Sequence, residues 1–548
     1  MTVFEKAYLY GLTVRNLQLR QVFYLLKDRL LPQFKPGTAD AGLLRDVSFP
    51  LRFASEKTGP FVKAHNSGAD VDVFGEKFEW REGCSWNLKS GNKLKVENLF
   101  YLEFLYHLLR SNEPDGKVLA VRIGLDLLER RGSFADSAYT TARRLSVLLL
   151  LAQLAQRAGE RRRFAGVAAE HAKHIMKKIE YHLDANHLLK CGRGLLIAGL
   201  FLRHLDASLW RQRGMQIISN ALKRQVLPDG GHYERAFAYH CLIMEDLMDA
   251  ESSLPRMGRF NQLRRALRRR IIEMAQFLAR CLHPDGCMPL FGDTARGLSL
   301  EPSLLLGEVN WRFGCSISTP SEDILDFQSS GFYGARFDDG TFVIVSAGPM
   351  GAPGQPGHAH CDMLSFELSL GGERVVVDTG VYDYSPGERR DYCRSTAAHN
   401  VIQVDGSEQA RFWAAHRFAT LAKPRTIRKS MLLEGSRFWE LSVAARPFHG
   451  SDAIWTRNFF CAPGVLKVTD NLSPRSPFES FLHLNPSCES AGSGLFRIGN
   501  VCVKISSPTS PEIRRTPVWE SFFVEDTRKT TLVQTSPSNS SSYKIERL

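Results

Sequence analysis

Between about residue 95 and residue 315 the apolar positions recur at helical spacing. YTTARRLSVLLLLAQLAQRA, AAEHAKHIMKKIEYHL, HLLKCGRGLLIAGLFLRHL, ERAFAYHCLIMEDLMDA and LRRRIIEMAQFLARCL carry that period, and short breaks rich in Gly, Pro and Asp separate them. The pattern predicts a run of helical hairpins. Two of the breaks look alike, LPDGGHYE from Leu227 and HPDGCMPLFGD from His283. Their separation suits a two-helix unit repeated around a toroid or along a solenoid. After about Ser316 the period drops to two: GFYGARFDDGTFVIVSAG, MLSFELSLGGERVVVDTG, NVIQVDGSEQ and VLKVTDNL alternate apolar with polar residues and turn at Gly or Asp-Gly. These predict antiparallel strands stacked as a sandwich. The expected architecture is therefore a helical domain over 1–316, toroid or solenoid, followed by an antiparallel β-sandwich over 317–548, with a cleft between them as the natural place for a site.

Composition narrows the class. The chain has 548 residues, 43% hydrophobic and 24% charged, which excludes wholesale disorder and a fibrous repeat. Lys and Arg outnumber Asp and Glu to leave a net charge of +13, which favours an anionic partner. The densest basic stretch, Arg256, Arg259, Arg264, Arg265, Arg268, Arg269 and Arg270, reads as one helix whose apolar stripe is Leu263, Ala266, Leu267, Ile271 and Met274. A solvated helix face explains it better than nucleic-acid binding, because no finger, aromatic RNA-binding signature or P-loop accompanies it. The 11 cysteines form no CxxC and suit reduced, mostly buried thiols. The first residues lack the uninterrupted apolar core of a signal peptide, and neither LSVLLLLAQLA nor LLIAGLFL reaches the roughly 20 apolar residues of a membrane span. The expectation is a cytoplasmic protein without a transmembrane segment, unless it is exported by an unusual route.

The segment GHAHCDMLSFELSLGGERVVVDTG, from Gly357, is the most informative. Read as a strand, it gives His358, His360 and Asp362 the parity of Leu364, Phe366 and Leu368, so two imidazoles and a carboxylate continue the buried face. Burying them is costly without a metal, a charge partner or hydrogen bonds. Either a polar network caps the sheet, or these groups, with Asp378 and His399 on neighbouring strands, form a metal or catalytic site. A zinc site takes imidazole nitrogen and carboxylate oxygen from rigid elements, which His360, Asp378 and His399 would supply.

GHAHCDMLSFEL, VVVDTGVYDY and RSTAAHNVIQVDG resemble the C-terminal signature of the heparinase II/III-like polysaccharide lyases, which include heparinase III and the alginate and oligoalginate lyases. ANHLLKCGRGLLIAGLF and LPDGGHYERAFAYHCLIMEDL resemble the helical half of the same superfamily. The resemblance runs from about residue 90 to residue 480 and implies an incomplete α/α toroid over 1–316 joined to an antiparallel β-sandwich over 317–548. It also implies β-elimination on a uronic-acid-containing polysaccharide or oligosaccharide. Asn186 and His187 match the family's Asn-His pair, which neutralises the uronate carboxylate. Tyr239 matches the family's base, with a second role open to it as the acid for the departing O4, and His358 the site histidine of the sandwich. His360, Asp378 and His399 fall where zinc-containing members hold a structural metal. Tyr392 is the choice for a second tyrosine in the cleft, with Tyr384 its rival. Glu234, Arg235 and Arg394 complete the set as substrate-binding residues. A free phenol, pKa about 10, is a poor base unless cations favour its ionised form, and Arg235, four residues before Tyr239, would stand beside it on one helix face. Cys191 and Cys241 depart from the family pattern, where more polar residues are common.

Two other readings remain. A glycoside hydrolase on an α/α toroid would recruit Asp229, Glu234, Asp285 and Asp293, although the Pro-Asp-Gly contexts make Asp229 and Asp285 turn residues. A non-catalytic glycan-binding protein of exopolysaccharide assembly would keep the cleft without turnover. The sequence is silent on the oligomeric state.

Overall fold

The computed structural model describes residues 2–30, 43–44, 61–65, 68–86, 88–110, 115–130, 137–256, 258–430, 437–446, 452–492, 494–524, 527–536 and 539–548. Helices dominate up to Pro302–Phe313, and the first strand of the sheet half is Asp323–Phe327. Local chemistry sets the helix starts. Ser137 Oγ accepts from the Thr140 N–H at 3.1 Å at the head of Ala138–Leu154, and Asn92 does the same for Lys93–Tyr101. Helix Ala185–Phe201 packs tightly on Ala207–Arg224 because glycine lies at the contact: a Cβ on Gly214 would stand 2.5 Å from Leu196 N. Helix Asn261–Cys281 buries Leu263, Leu267, Ile271 and Met274. Its arginines turn outward onto neighbours: Arg264 pairs with Glu251 at 2.8 Å, and Arg268 donates to the Phe313 carbonyl at 2.6 Å. No helix among the described residues is long and apolar enough to cross a membrane, and all 11 cysteines are free thiols.

Among the described residues the sheet half has three large antiparallel sheets and a two-stranded one, Phe412–Trp413 with Arg417–Phe418. A five-stranded meander runs in chain order from Asp323–Phe327 to Glu373–Val376. An eight-stranded sheet extends from Pro424–Ser430 through Val465–Ser473 and Ser540–Arg547 to Glu489–Gly492. A four-stranded sheet pairs Ile402–Val404, Phe478–His483, Thr527–Ser536 and Glu512–Val518. One apolar core, from Tyr333 through Phe366 and Trp455 to Ile545, binds these sheets together.

Two expectations need correction. The N-terminal half is not purely helical, since Phe61–His65, Gly68–Val73 and Glu76–Trp80 form a three-stranded antiparallel sheet. Its alternation of polar with apolar residues, and the Phe74-Gly75 turn with both residues at positive φ, are ordinary hairpin signals. The strand expected from Gly357 starts only at Phe366. Residues 357–365 are turns, so His358, His360 and Asp362 are held by side-chain bonds and not by strand parity.

Candidate active-site cleft

A cavity of about 740 Å³ opens between the two halves. Asn186, His187 and Tyr239 line it from the helical side, and His358, Tyr384 and His416 from the sheet side. Both helices that bring candidate groups begin beside backbone in the left-handed region: φ is 53° at Asp184 and 45° at Ala185 before Asn186, and 59° at Arg235 before Tyr239. Such conformations persist only where surroundings enforce them. Arg235 is held by carbonyls of Tyr233, Ser329, Ser330 and Gly351. This corrects the expected role of Arg235. It sits before the helix, not four residues along it from Tyr239, and its guanidinium ties the helical half to sheet-half loops.

Asp293 organises the sheet side. Arg390 grips both its carboxylate oxygens, with Nη2 to Oδ2 at 3.0 Å. His358 Nδ1 lies 2.8 Å from Oδ2 and His360 Nε2 2.9 Å from Oδ1. Burial pushes the Asp293 carboxyl up, but Arg390 and these two imidazoles outweigh it and hold it well below the usual range. Because Asp293 is ionised, it accepts from both rings, which leaves His358 Nε2 and His360 Nδ1 as lone pairs. Burial also lowers His358, so its imidazole is neutral near pH 7. The turn carrying Asp293 needs Gly292: at φ 58°, a Cβ there would fall 2.7 Å from the His358 carbonyl oxygen.

Tyr239 stacks on His358, ring centroids 3.8 Å apart, and its hydroxyl donates to Tyr384 Oη at 3.0 Å. Burial, reinforced by Tyr384, raises the Tyr239 phenol well above 10. Burial dominates, so the phenol holds its proton near pH 7. Opposite, His187 Nδ1 lies 2.6 Å from Glu180 Oε2 with its ring 4.5 Å from that of Tyr139. Asn186 Nδ2 donates to Glu234 Oε1 at 3.3 Å.

The remaining expected residues are placed differently. Glu234 is 1% exposed and lies beneath Asn186 instead of lining the cavity; burial pushes its carboxyl up to about 8, so it is neutral at pH 7. Tyr392 belongs to an apolar cluster with Val381 and Trp519, and Tyr384 takes the cleft position. Arg394 is wholly buried on helix Glu388–Arg394, stacked on Phe412 and Phe418 and donating to the Ala414 and Arg417 carbonyls, with no route to a substrate. Asp229 and Asp285 are turn residues: Asp229 accepts from Gly231 N and Ser330, Asp285 from Cys287 N. Cys191 is buried in the helical core and Cys241 touches Met288, so neither substitutes for a polar group in the cleft. Asp293 appeared in the sequence only as a hydrolase carboxylate. The clue to its role was that LPDG and HPDG share a turn, while FGD following the second has no counterpart in the first.

Of the expected metal set, His360 and His399 are brought together, with ring centroids 5.3 Å apart. Asp378 stands on His399 Nδ1, at 3.0 and 2.9 Å, and in this geometry orients that ring. His360 Nδ1 and His399 Nε2 are buried without hydrogen-bond partners. Asp293, His358 and His416 also offer ligand atoms within 4.8 Å of one another. Arg390 already neutralises Asp293, however, so a cation there would meet a guanidinium.

Residues 161–300 match the model of the heparinase II/III N-terminus and residues 319–531 that of the heparinase II/III-like C-terminal domain. The chain belongs to the heparinase II/III-like superfamily. A heparin-sulfate lyase of Bacteroides stercoris is 27% identical over 258 residues, 43% of this chain and 38% of that protein. One from Pedobacter heparinus is 25% identical over 248 residues, 41% and 37% of the two chains. The chain thus spans well under half the length of these relatives in sequence. Solved structures share its fold more widely: heparinase III aligns with TM-score 0.66 at 15% identity over 85% of this chain and 79% of its own. Heparan sulfate lyase HepC from Pedobacter heparinus aligns with TM-score 0.56 at 15% identity over 96% and 87%. The architecture is the superfamily's toroid plus β-sandwich.

Proposed function

We propose that this protein is a polysaccharide lyase that cleaves a uronic-acid-containing polysaccharide by β-elimination. The observation that carries the reading is the 3.8 Å stack of Tyr239 from the helical half on His358 from the sheet half, at a cavity that Asn186 and His187 also line. The lyase names of the relatives support it. A uronate C5–H becomes acidic enough to remove only when its carboxylate is neutralised. The Asn186 amide is a donor for that carboxylate, and His187, with Nδ1 on Glu180, donates to it from Nε2 as the imidazolium. Glu234, neutral beneath Asn186, adds no repelling charge.

The roles of base and acid follow from protonation. His358 offers a lone pair at Nε2 and removes the C5 proton. The C5–H electron pair becomes the C4=C5 double bond, the C4–O4 bond breaks, and the departing O4 takes its proton from Tyr239. Tyr239 is the acid here because burial keeps its phenol protonated, whereas the sequence comparison favoured it as the base. Tyr384, hydrogen-bonded to Tyr239, is the route by which the phenol regains its proton.

A zinc ion fits the two unpartnered imidazole nitrogens of His360 and His399, with Asp378 orienting the latter. It would supply rigidity to the loop carrying His358, not chemistry at the substrate.

The test is incubation of purified protein with heparan-type, alginate, hyaluronan-type and bacterial acidic polysaccharides, followed by ultraviolet absorbance of the unsaturated uronate. New reducing ends without that absorbance would mean hydrolysis. Binding without any product on every polymer would mean a glycan-binding protein.

A further inference from the structure

One turn divides its residues between two cavities. Leu183, Asn186 and His187 line the cleft, whereas Asp184 and Leu188 line a second cavity of about 270 Å³, with room for a monosaccharide-sized group. Its other walls are helix Leu19–Leu30, through Arg20 and Tyr24, and helix Ala207–Arg224, through Arg213, Asn220 and Arg224. The rings of Tyr24 and Tyr181 lie 4.4 Å apart and form an aromatic wall, with the Arg20 guanidinium 4.3 Å over Tyr181.

Three features define what this cavity would take. Arg213 donates only to uncharged oxygens, Tyr181 Oη at 3.3 Å and Gln216 Oε1 at 3.1 Å, and among the described residues neither it nor Arg20 has a carboxylate partner. Two guanidiniums without a carboxylate partner among the described residues, beside one cavity, call for an anionic group. Asp184 and Gln225, 4% and 3% exposed, each keep a side-chain oxygen without a hydrogen-bond partner, Oδ1 and Oε1. Their other atoms are committed: Asp184 Oδ2 pairs with Arg224 at 3.0 Å and Gln225 Nε2 donates to the Ala185 carbonyl at 3.1 Å. Buried acceptors left open call for hydroxyl donors. Tyrosine faces suit the C–H face of a sugar ring.

We propose that this cavity is a second binding site, for one acidic sugar unit, separate from the cleft. Hydroxyls of the unit donate to Asp184 and Gln225, its ring lies against the tyrosines, and its carboxylate or sulfate meets Arg20 and Arg213. The choice of a sugar as the anion rests on the lyase reading above.

The test is titration calorimetry of the full chain with sodium glucuronate, glucose 6-sulfate and glucose, in a variant whose cleft is disabled by Asn186→Ala and His187→Ala. An acidic sugar is expected to bind this variant, with glucose at least tenfold weaker. Adding Arg20→Gln and Arg213→Gln is expected to weaken binding at least tenfold at an unchanged melting temperature. Glucuronate against glucose 6-sulfate distinguishes a carboxylate from a sulfate ligand. The proposal is overturned if the cleft-disabled variant binds neither acidic sugar, if the arginine substitutions leave binding unchanged, or if glucose binds as tightly. Absence of unsaturated product with wild type, alongside intact glucuronate binding, would instead sink the lyase reading and leave this site standing.

Discussion

Two buried arginine–aspartate pairs invite comparison. Arg457 and Asp470 face each other across neighbouring strands of the eight-stranded sheet, with Nε to Oδ1 at 2.7 Å and Nη2 to Oδ2 at 2.8 Å. Trp455 Nε1 adds a third donor, and Arg457 Nη1 is taken up by the Leu364 and Asn400 carbonyls. Arg390 and Asp293 also make a two-pronged pair, through the two Nη atoms, but the extra donors on Asp293 are two imidazoles: the second nitrogen of His360 is buried without a hydrogen-bond partner, and that of His358 lies 4.0 Å from Glu234 Oε1 at the cavity. The first pair is closed and the second open. Burial of an ion pair therefore marks rigidity in both places, while unused donor and acceptor capacity beside it marks where chemistry can occur.

The largest effects should come from breaking each pair. Asp293→Asn and Asp470→Asn both leave a buried guanidinium with a neutral partner, which typically costs about 3–5 kcal/mol. Only Asp293→Asn should also lower turnover per folded molecule, on the order of 10³-fold, because His358 loses the carboxylate that fixes its tautomer. Denaturant unfolding combined with rates measured below the unfolding transition tests both halves. Equal losses of turnover in folded Asp470→Asn would erase the distinction.

Next in size is the contrast between two tyrosines. Tyr239→Phe should cut kcat by about 10²- to 10⁴-fold while stability moves by about 1 kcal/mol or less. Tyr392→Phe, whose ring packs on Trp519 and does not line the cavity, should leave kcat unchanged. The reverse order would move the acid to the wrong helix. A smaller effect is expected at the metal-competent pair: elemental analysis should find about one zinc per chain, lost in His360→Ala and in His399→Ala, with lower melting temperatures. A protein free of zinc and unaffected by chelators would make those unpartnered nitrogens a polar defect.

These contrasts also show what the sequence could reveal. Helical and strand periods marked out the two halves because each element buries one face, and Asn186, His187, Tyr239 and His358 were reachable through local motifs. The errors came where tertiary contacts override local pattern. Arg235 breaks the helix it was assigned to because four carbonyls hold it in the left-handed region. The residues from Gly357 mimic strand alternation, yet Asp293, 65 positions from His358, fixes their side chains. Arg394 and Tyr392 looked available because a short helix can be read only when its packing partners are known. Asp293 was visible as a carboxylate but not as the partner of Arg390, 97 positions away.

Glu234 gives the subtlest difference between the open and closed regions. Its carboxyl keeps its proton in the folded protein up to about 8, whereas the unfolded chain releases it near 4.5. Between those values the folded state binds more protons, so the stability contributed by the neutral carboxyl is full below about 4.5 and is lost as pH rises through about 8. The slope is at most about 1.4 kcal/mol per pH unit. Glu234→Gln keeps an acceptor for Asn186 and removes the titration, so the melting temperature of wild type should fall relative to the variant as pH rises across that window. Parallel curves for wild type and Glu234→Gln would show that Glu234 is already ionised, and a negative charge beneath Asn186 would then oppose the uronate carboxylate that the cleft is proposed to bind.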